Sequence, residues 1–360
     1  MAYLISPRRA SQYVRRYGYA FSWKRLWNAT KVFCSIGLSW LIRRPVVWGQ
    51  PFMLMVEPTN FCNLKCPLCP SGNGDMTRAR GRMDLDSYKR LIDEVGENLL
   101  LLMLWNQGEP FINRCFTDMV RYARDRGIPT LTSTNGHYIR NAEQAEAVVD
   151  SGLDEIIISL DGVDQETYQQ YRVGGDIERV FTGTRLLVEA RERRGVTHPV
   201  ISLQFIVMKQ NEGDIDRAEE IAGELLTPDD KFLIKTAQVY NDQDAATFLP
   251  EDNAFSRYEQ GRSGNGLRVK GQPASGCKVL WYSSMVNWDG RVAPCCFDKD
   301  IDYSMGQAFG ADGSFRAIWK DRSYMDFRRN LLRDRSYADM CSNCSEGYRG
   351  MFSLVKELKG

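Results

Sequence analysis

Histidine is nearly missing: His137 and His198 are the only two in 360 residues. That counts against a histidine-rich zinc or non-haem iron site. Long hydrophobic runs are missing too. The longest candidate, residues 32–42, has eleven residues between Lys31 and Arg43, whereas a membrane-spanning helix needs ~20. Arg43-Arg44-Pro45 follows it, where a signal peptide would carry a small-residue cleavage site. Ten cysteines are too few for a disulfide scaffold of this length. A chain that is 43% hydrophobic and 26% charged is an ordinary globular one, not a disordered or fibrous one. Its length suits two domains, or one barrel with an appendage.

Acidic residues are absent from the first 50 positions, which hold nine Lys/Arg and four of the eight tryptophans, Trp23, Trp27, Trp40 and Trp48. The other 38 bases stand against 46 acids, so the body is acidic. Trp23, Leu26, Trp27, Phe33, Ile36, Trp40 and Leu41 recur at helical spacing, with Lys24, Arg25, Asn28 and Lys31 on the other side. Such a basic, aromatic helix suits a membrane interface. It suits equally a helix that caps the body and answers its acidic surface.

Between residues 52 and 239, strand-like runs at 53–56, 99–105, 129–133, 155–160, 200–208 and 231–239 alternate with helical patterns at 84–96, 113–127, 141–152, 177–194 and 213–226. Six strands with helices between them imply an α/β fold with a parallel sheet, either a partial barrel or doubly wound. In both, the chemistry belongs at the carboxyl ends of the strands. Residues 240–275 turn polar and Gly/Asn/Asp/Ser-rich, as expected of a linker or a mobile loop over the site. The expected division is 1–50, a basic N-terminal extension; 51–240, the α/β core; 241–275, a linker; and 276–360, a small cysteine-bearing domain.

The cysteines are clustered. Glu57-Pro58-Thr59-Asn60-Phe61-Cys62-Asn63-Leu64-Lys65-Cys66-Pro67-Leu68-Cys69-Pro70 follows the first strand. Three thiolates at spacings of four and three can converge on one iron–sulfur cluster. Four-iron clusters usually take four cysteines, so three leave a position open, as catalytic metals do. A zinc knuckle short of its fourth ligand is the structural alternative. In this setting the CxxxCxxC segment resembles the signature of the radical S-adenosylmethionine (SAM) superfamily, and the resemblance covers roughly residues 50–240. It implies a partial (β/α)6 TIM-type barrel. It also implies that Cys62, Cys66 and Cys69 hold a 4Fe–4S cluster whose open iron binds SAM. Reductive cleavage would then give a 5′-deoxyadenosyl radical that removes a substrate hydrogen.

Further segments are similar to that family at successive strand ends. Asn106-Gln107-Gly108-Glu109-Pro110 resembles its GGEP turn, with Gln107 in place of the first glycine. Ser133-Thr134-Asn135-Gly136 and Ser159-Leu160-Asp161-Gly162 follow the third and fourth strands. By resemblance Gln107, Gly108, Glu109, Ser133, Asn135, Ser159 and Asp161 surround SAM, and Arg172 pairs with its carboxylate, for which a guanidinium fork is suited. Each alone reads as a cap or a solvated charge; their recurrence behind the cysteine motif favours the SAM site.

A second thiol group comprises Cys277, Cys295 or the adjacent Cys296, and Cys341-Ser342-Asn343-Cys344. A hairpin turn at Asp289-Gly290 would deliver one of the adjacent pair, and four sulfurs make a closed zinc or iron–sulfur site. The pattern resembles the SPASM/twitch auxiliary-cluster domain in its one-cluster form, as does Phe315-Arg316-Ala317-Ile318-Trp319. This implies an auxiliary 4Fe–4S cluster on Cys277, Cys295, Cys341 and Cys344. Cys34 and Cys115 have no partner in sequence and read as plain buried thiols. The resemblance implies an oxidoreductase-type enzyme with a flavodoxin- or ferredoxin-type electron donor; iron–sulfur assembly and reduced thiols point to the cytoplasm, and the basic, aromatic pattern of residues 1–50 to peripheral membrane contact. A small molecule or a lipid-like, membrane-associated substrate is favoured, since the first 50 residues lack the strand pattern of a peptide-leader-binding domain. An RNA- or peptide-modifying enzyme, or a zinc or iron–sulfur electron-transfer protein, is the alternative. The acidic body argues against a nucleic-acid partner.

Overall fold

The computed structural model describes residues 17–239, 241–260, 266–271, 276–342, 344–345 and 353–357. A long helix, α1 (Trp23–Ile42), precedes six strands built from the aliphatic and β-branched runs: β1 (Met53–Val56), β2 (Leu101–Met103), β3 (Thr130–Thr134), β4 (Glu155–Ser159), β5 (Val200–Val207) and β6 (Lys231–Thr236). They pair in that order, all parallel. Parallel neighbours require crossovers. These are helical: α2 (Leu85–Val95), α3 (Phe116–Asp125), α4 (Ala142–Asp150), α5 (Ile177–Arg194) and α6 (Ile215–Leu225). Side chains of Asp84, Asn141 and Asp176 accept from backbone N–H groups at the starts of α2, α4 and α5, each cap worth about 1 kcal/mol. The sheet faces that meet these helices bury Leu54, Leu102, Ile156, Ile158, Leu203 and Phe205 completely or nearly so. Each contributes about 1.5–3 kcal/mol by leaving water.

The C-terminal chain returns to both edges of this sheet. β9 (Ser283–Val286) adds parallel to β1, and β10 (Arg291–Ala293) and β11 (Gly306–Gln307) follow antiparallel. The turn between β9 and β10 is the one expected at Asp289-Gly290, with Gly290 at φ 85°. At the other edge β12 (Ser353–Glu357) pairs antiparallel with β6.

The described parts of the segment expected as a linker, 241–260 and 266–271, are more ordered than the composition suggests. They form a helix over Asp242–Phe248 and an antiparallel ribbon of β7 (Tyr258–Gln260) and β8 (Leu267–Val269). A few apolar anchors account for this: Phe248, Tyr258 and Val269 are buried in a cluster with Leu64, Cys66, Leu68 and Tyr171. The segment thus packs on the cysteine loop.

Helix α1 lies across the amino ends of the strands. The Arg25 guanidinium, 6% exposed, donates to the carbonyls of Ala20, Gly96, Arg126 and Gly127. Gly96 and Gly127 lie in the turns that lead into β2 and β3. Asn28 pairs with both backbone groups of Gln50, ahead of β1. Tyr19 donates to Asp154, ahead of β4. The barrel floor is therefore closed by polar contacts from α1.

Candidate active site

The opposite, carboxyl end of the sheet carries the chemistry-bearing residues. The chain leaves β1 through Glu57, whose carboxylate is buried and held by both Arg78 terminal nitrogens at 2.7 and 2.5 Å. This pair ties the start of the cysteine loop to its far end, and Glu57 also accepts from the Gln107 N–H at 3.3 Å. Arg78 continues to the Lys299 carbonyl at 2.6 Å, which stitches the loop to the C-terminal region. Neither Glu57 nor Arg78 was picked out by motif; a carboxylate closing an otherwise apolar strand is the only signal the sequence offers.

Cys62, Cys66 and Cys69 sit on this loop, with Cys66 buried and the others partly so. Their surroundings come from three strand ends. Asn135, after β3, approaches Cys62 Sγ at 3.9 Å and donates to Asn63 at 2.9 Å. Gln107, after β2, lies 3.7 Å from Cys69 Sγ. Arg172 Nη1 lies 3.7 Å from Cys66 Sγ while Nε donates to Asp161 Oδ2, after β4, at 2.6 Å. Of the residues carried over by resemblance, Gln107, Asn135, Asp161 and Arg172 are therefore neighbours of the thiols or of one another. Arg172 already shares its charge between Asp161 and a thiol. Glu109 is buried, and its carboxylate accepts from Thr134 Oγ1 and Asn135 N–H, each at 2.8 Å. Burial pushes its carboxyl up to about 7, against those hydrogen bonds. Glu109 joins the ends of β2 and β3. Ser133 is the penultimate residue of β3 and Ser159 the last of β4.

Glycine is required at one point of this loop system. Gly108 has φ 79°, and a Cβ there would stand 2.6 Å from the Phe61 carbonyl oxygen. Only glycine lets the two loops touch.

The second thiol group forms where the C-terminal segments meet. Cys341 and Cys344 are buried. Burial and the neighbouring Cys277 and Cys344 push the Cys341 thiol up to about 12. Burial also raises the Cys295 thiol, with Cys296, Cys277 and Cys341 acting in the same direction. Cys296, the other member of the adjacent pair, packs against the apolar cluster of Met55, Met285, Ala293 and Ile301 next to the sheet. Of the two thiols expected to be plainly buried, Cys34 is exposed and Cys115 half-buried. Arg335, unmarked in the sequence, spans the group through the carbonyls of Gly276, Cys341 and Cys344.

Both donor sets fit iron–sulfur clusters. Cys62 is pushed up to about 12 by burial, with Glu109, Cys66 and Cys69 adding to it, so thiolates here need a cationic group to hold them. Among the described residues no three Cys, His, Asp or Glu side chains gather around one point as a single metal ion requires. A cavity of about 310 Å³ runs along the seam between the cysteine loop and the C-terminal region, with Asp75, Asp298, Asp300, Asp302, Asp339 and Lys299 among its lining residues.

The sequence profile of the radical SAM superfamily matches residues 56–221, and that of SPASM, an iron–sulfur cluster-binding domain, matches residues 277–345. The chain is a radical SAM enzyme with a C-terminal SPASM domain. Its cofactors are accordingly a 4Fe–4S cluster, SAM and auxiliary iron–sulfur binding in the SPASM domain. The enzyme is similar to the tungsten-containing aldehyde ferredoxin oxidoreductase cofactor-modifying protein of Pyrococcus furiosus, 26% identical over 81% of this chain and 86% of that protein. It is also similar to a PqqA peptide cyclase of Granulibacter bethesdensis, 28% identical over 48% of this chain and 44% of that protein. In fold it resembles Streptococcus suis SuiB bound to S-adenosylmethionine, at a TM-score of 0.57 and 16% identity, covering 82% of this chain and 71% of that one.

Proposed function

We propose that Cys62, Cys66 and Cys69 hold the SAM-binding cluster, and that Cys277, Cys295, Cys341 and Cys344 hold one auxiliary 4Fe–4S cluster. The observation that carries this is the gathering of the three motif thiols with Gln107 and Asn135 from the ends of β2 and β3 and with Arg172 from the end of the helix Gln165–Tyr171. When bound, the cluster and SAM together supply a 5′-deoxyadenosyl radical that takes a substrate hydrogen. The protein's own part is placement. Gly108 allows the 107–110 turn to close on the cysteine loop. Glu109 fixes that turn to Asn135. Arg172, anchored by Asp161, sets positive charge beside the thiols and is suited to a carboxylate. The Met55, Met103, Trp105 and Met285 cluster supplies an apolar wall that keeps water from a reactive centre.

The substrate in this proposal is a small molecule, with a residue of a peptide as the second reading, supported by the similarity to a peptide cyclase. The lipid-like substrate expected from the sequence rested on the N-terminal arm, and α1 lies at the end of the barrel away from the thiols. The Asp-lined seam repels polyanions, which counts against nucleic acid. The oxygen-sensitive clusters and a low-potential flavodoxin- or ferredoxin-type donor belong to the cytoplasm. No helix among the described residues is long and apolar enough to cross a membrane.

The test is anaerobic incubation of reconstituted enzyme with reductant, SAM and deuterated candidate substrates. Deuterium in 5′-deoxyadenosine identifies the substrate. The Cys62→Ala, Cys66→Ala, Cys69→Ala variant should form no 5′-deoxyadenosine; retained formation would sink the proposal.

A further inference from the structure

Helix α1 is amphipathic in the reverse sense. Its inward face is made of Arg25, Asn28, Ser35 and Ser39 with Ala29, Val32 and Ile36, all buried. Ser35 and Ser39 receive the backbone N–H groups of Trp48 and Val46, and Trp281 donates to Ser39 and the Val46 carbonyl. The outward face carries the large apolar side chains: Trp23 is 86% exposed, Trp27 64%, Phe33 61% and Leu41 80%. The sequence pattern grouped Ile36 and Trp40 with that stripe. They turn to the body instead, Trp40 edge-on to Trp281. The helix is thus a cap over the body and, on its other side, an uncovered aromatic stripe. A polar inner face bonded to the floor and an apolar outer face cannot both be explained by capping, since capping alone leaves the outer face free to be polar.

The charge around the stripe selects what covers it. Arg43 and Arg44 are exposed beside it and Lys31 partly so, while the exposed Lys24 pairs with Glu97 of the body. No acid occurs in residues 1–50, while the remainder of the chain is net acidic. We propose that this face docks on an anionic lipid bilayer, with Trp23, Trp27 and Phe33 in the headgroup layer and the bases on lipid phosphates. Tryptophan favours that layer, and aromatic residues beside Lys/Arg on one helix face are the pattern of interfacial helices. A membrane would then lie against the barrel floor, with the thiol-bearing end directed into the aqueous phase. Docking and chemistry occupy opposite ends of the strands.

The experiment is co-sedimentation of the full-length enzyme with phosphatidylglycerol–phosphatidylcholine vesicles and with pure phosphatidylcholine vesicles, at low and high salt. Binding to the anionic vesicles at low salt is expected, weakened by salt because exposed charges are screened within ~10 Å at about 0.1 M. The Trp23→Ser, Trp27→Ser, Leu41→Ser variant changes only exposed positions and spares Phe33, whose ring meets Phe52. It should keep the wild-type unfolding temperature and iron content but lose vesicle binding by tenfold or more. Lys31→Gln with Arg44→Gln should weaken it by roughly fivefold per base. Wild-type protein left in the supernatant at low salt would overturn the proposal. So would a concentration-dependent dimer in lipid-free solution that the triple variant abolishes, because the stripe would then be a contact between copies of the chain.

Discussion

Gly108, Arg335 and His137 each act through geometry that a motif search cannot weigh. Gly108→Ala places a Cβ against the Phe61 carbonyl at a positive φ, a strain of about 1–3 kcal/mol. The expected outcome is weaker SAM binding in equilibrium dialysis and incomplete iron loading, with the far-UV spectrum unchanged. Arg335 bridges three carbonyls of the second thiol group. Arg335→Ala should lower the iron recovered after reconstitution towards half, while slow SAM cleavage persists. A full iron complement in that variant would show that Arg335 does not position the group. The motif residues were legible because thiol spacing is a strong signal. Glu57, Arg78 and Arg335 were not, since a single charged residue carries no periodicity and its partner lies far along the chain.

At the scale of elements, hydrophobic periodicity placed all six parallel strands and the five long crossover helices. It missed the helix Gln165–Tyr171, whose short polar face gives little pattern, and the order within 241–260, which depends on Phe248 and Tyr258. It also grouped Ile36 and Trp40 with the outer stripe of α1, whereas both turn to the body, where the helix is held by hydrogen bonds from Arg25 and Asn28 as well as by apolar burial. Arg25→Ala should therefore destabilise as a core substitution does, by about 3 kcal/mol, through the carbonyls it leaves unpaired. Urea unfolding measures this. The start of α5 responds to pH. His137 Nε2 accepts the Asp176 N–H at 2.8 Å, and burial holds the imidazole below its ordinary value of 6.5. Protonation removes that acceptor. A base with a depressed folded-state pKa adds stability that is complete above about 6.5 and is lost as pH falls below it. The urea midpoint should drop between pH 7.5 and pH 5.5, and drop less in His137→Gln.

Taken whole, the molecule has two thiol groups on one continuous sheet, and reconstitution should yield about eight irons per chain. The Cys341→Ala, Cys344→Ala variant should lose about half of them and still cleave SAM slowly; zinc in their place would refute the auxiliary-cluster assignment. The same sheet imposes an order on biosynthesis. Its six parallel strands emerge from the ribosome first, yet β9 and β12, which cover its two edges, come from the last quarter of the chain. At translation rates of ~5–20 residues per second, β6 waits on the order of ten seconds for β12. During that interval the nascent barrel shows two bare rows of amide and carbonyl groups, the templates from which intermolecular β-pairing starts. The closing strand therefore works as a safeguard on folding yield as well as a part of the native sheet. A chain stopped after residue 345 should retain every cysteine and still scatter light on refolding, more so as its concentration rises, because β6 is left without its neighbour.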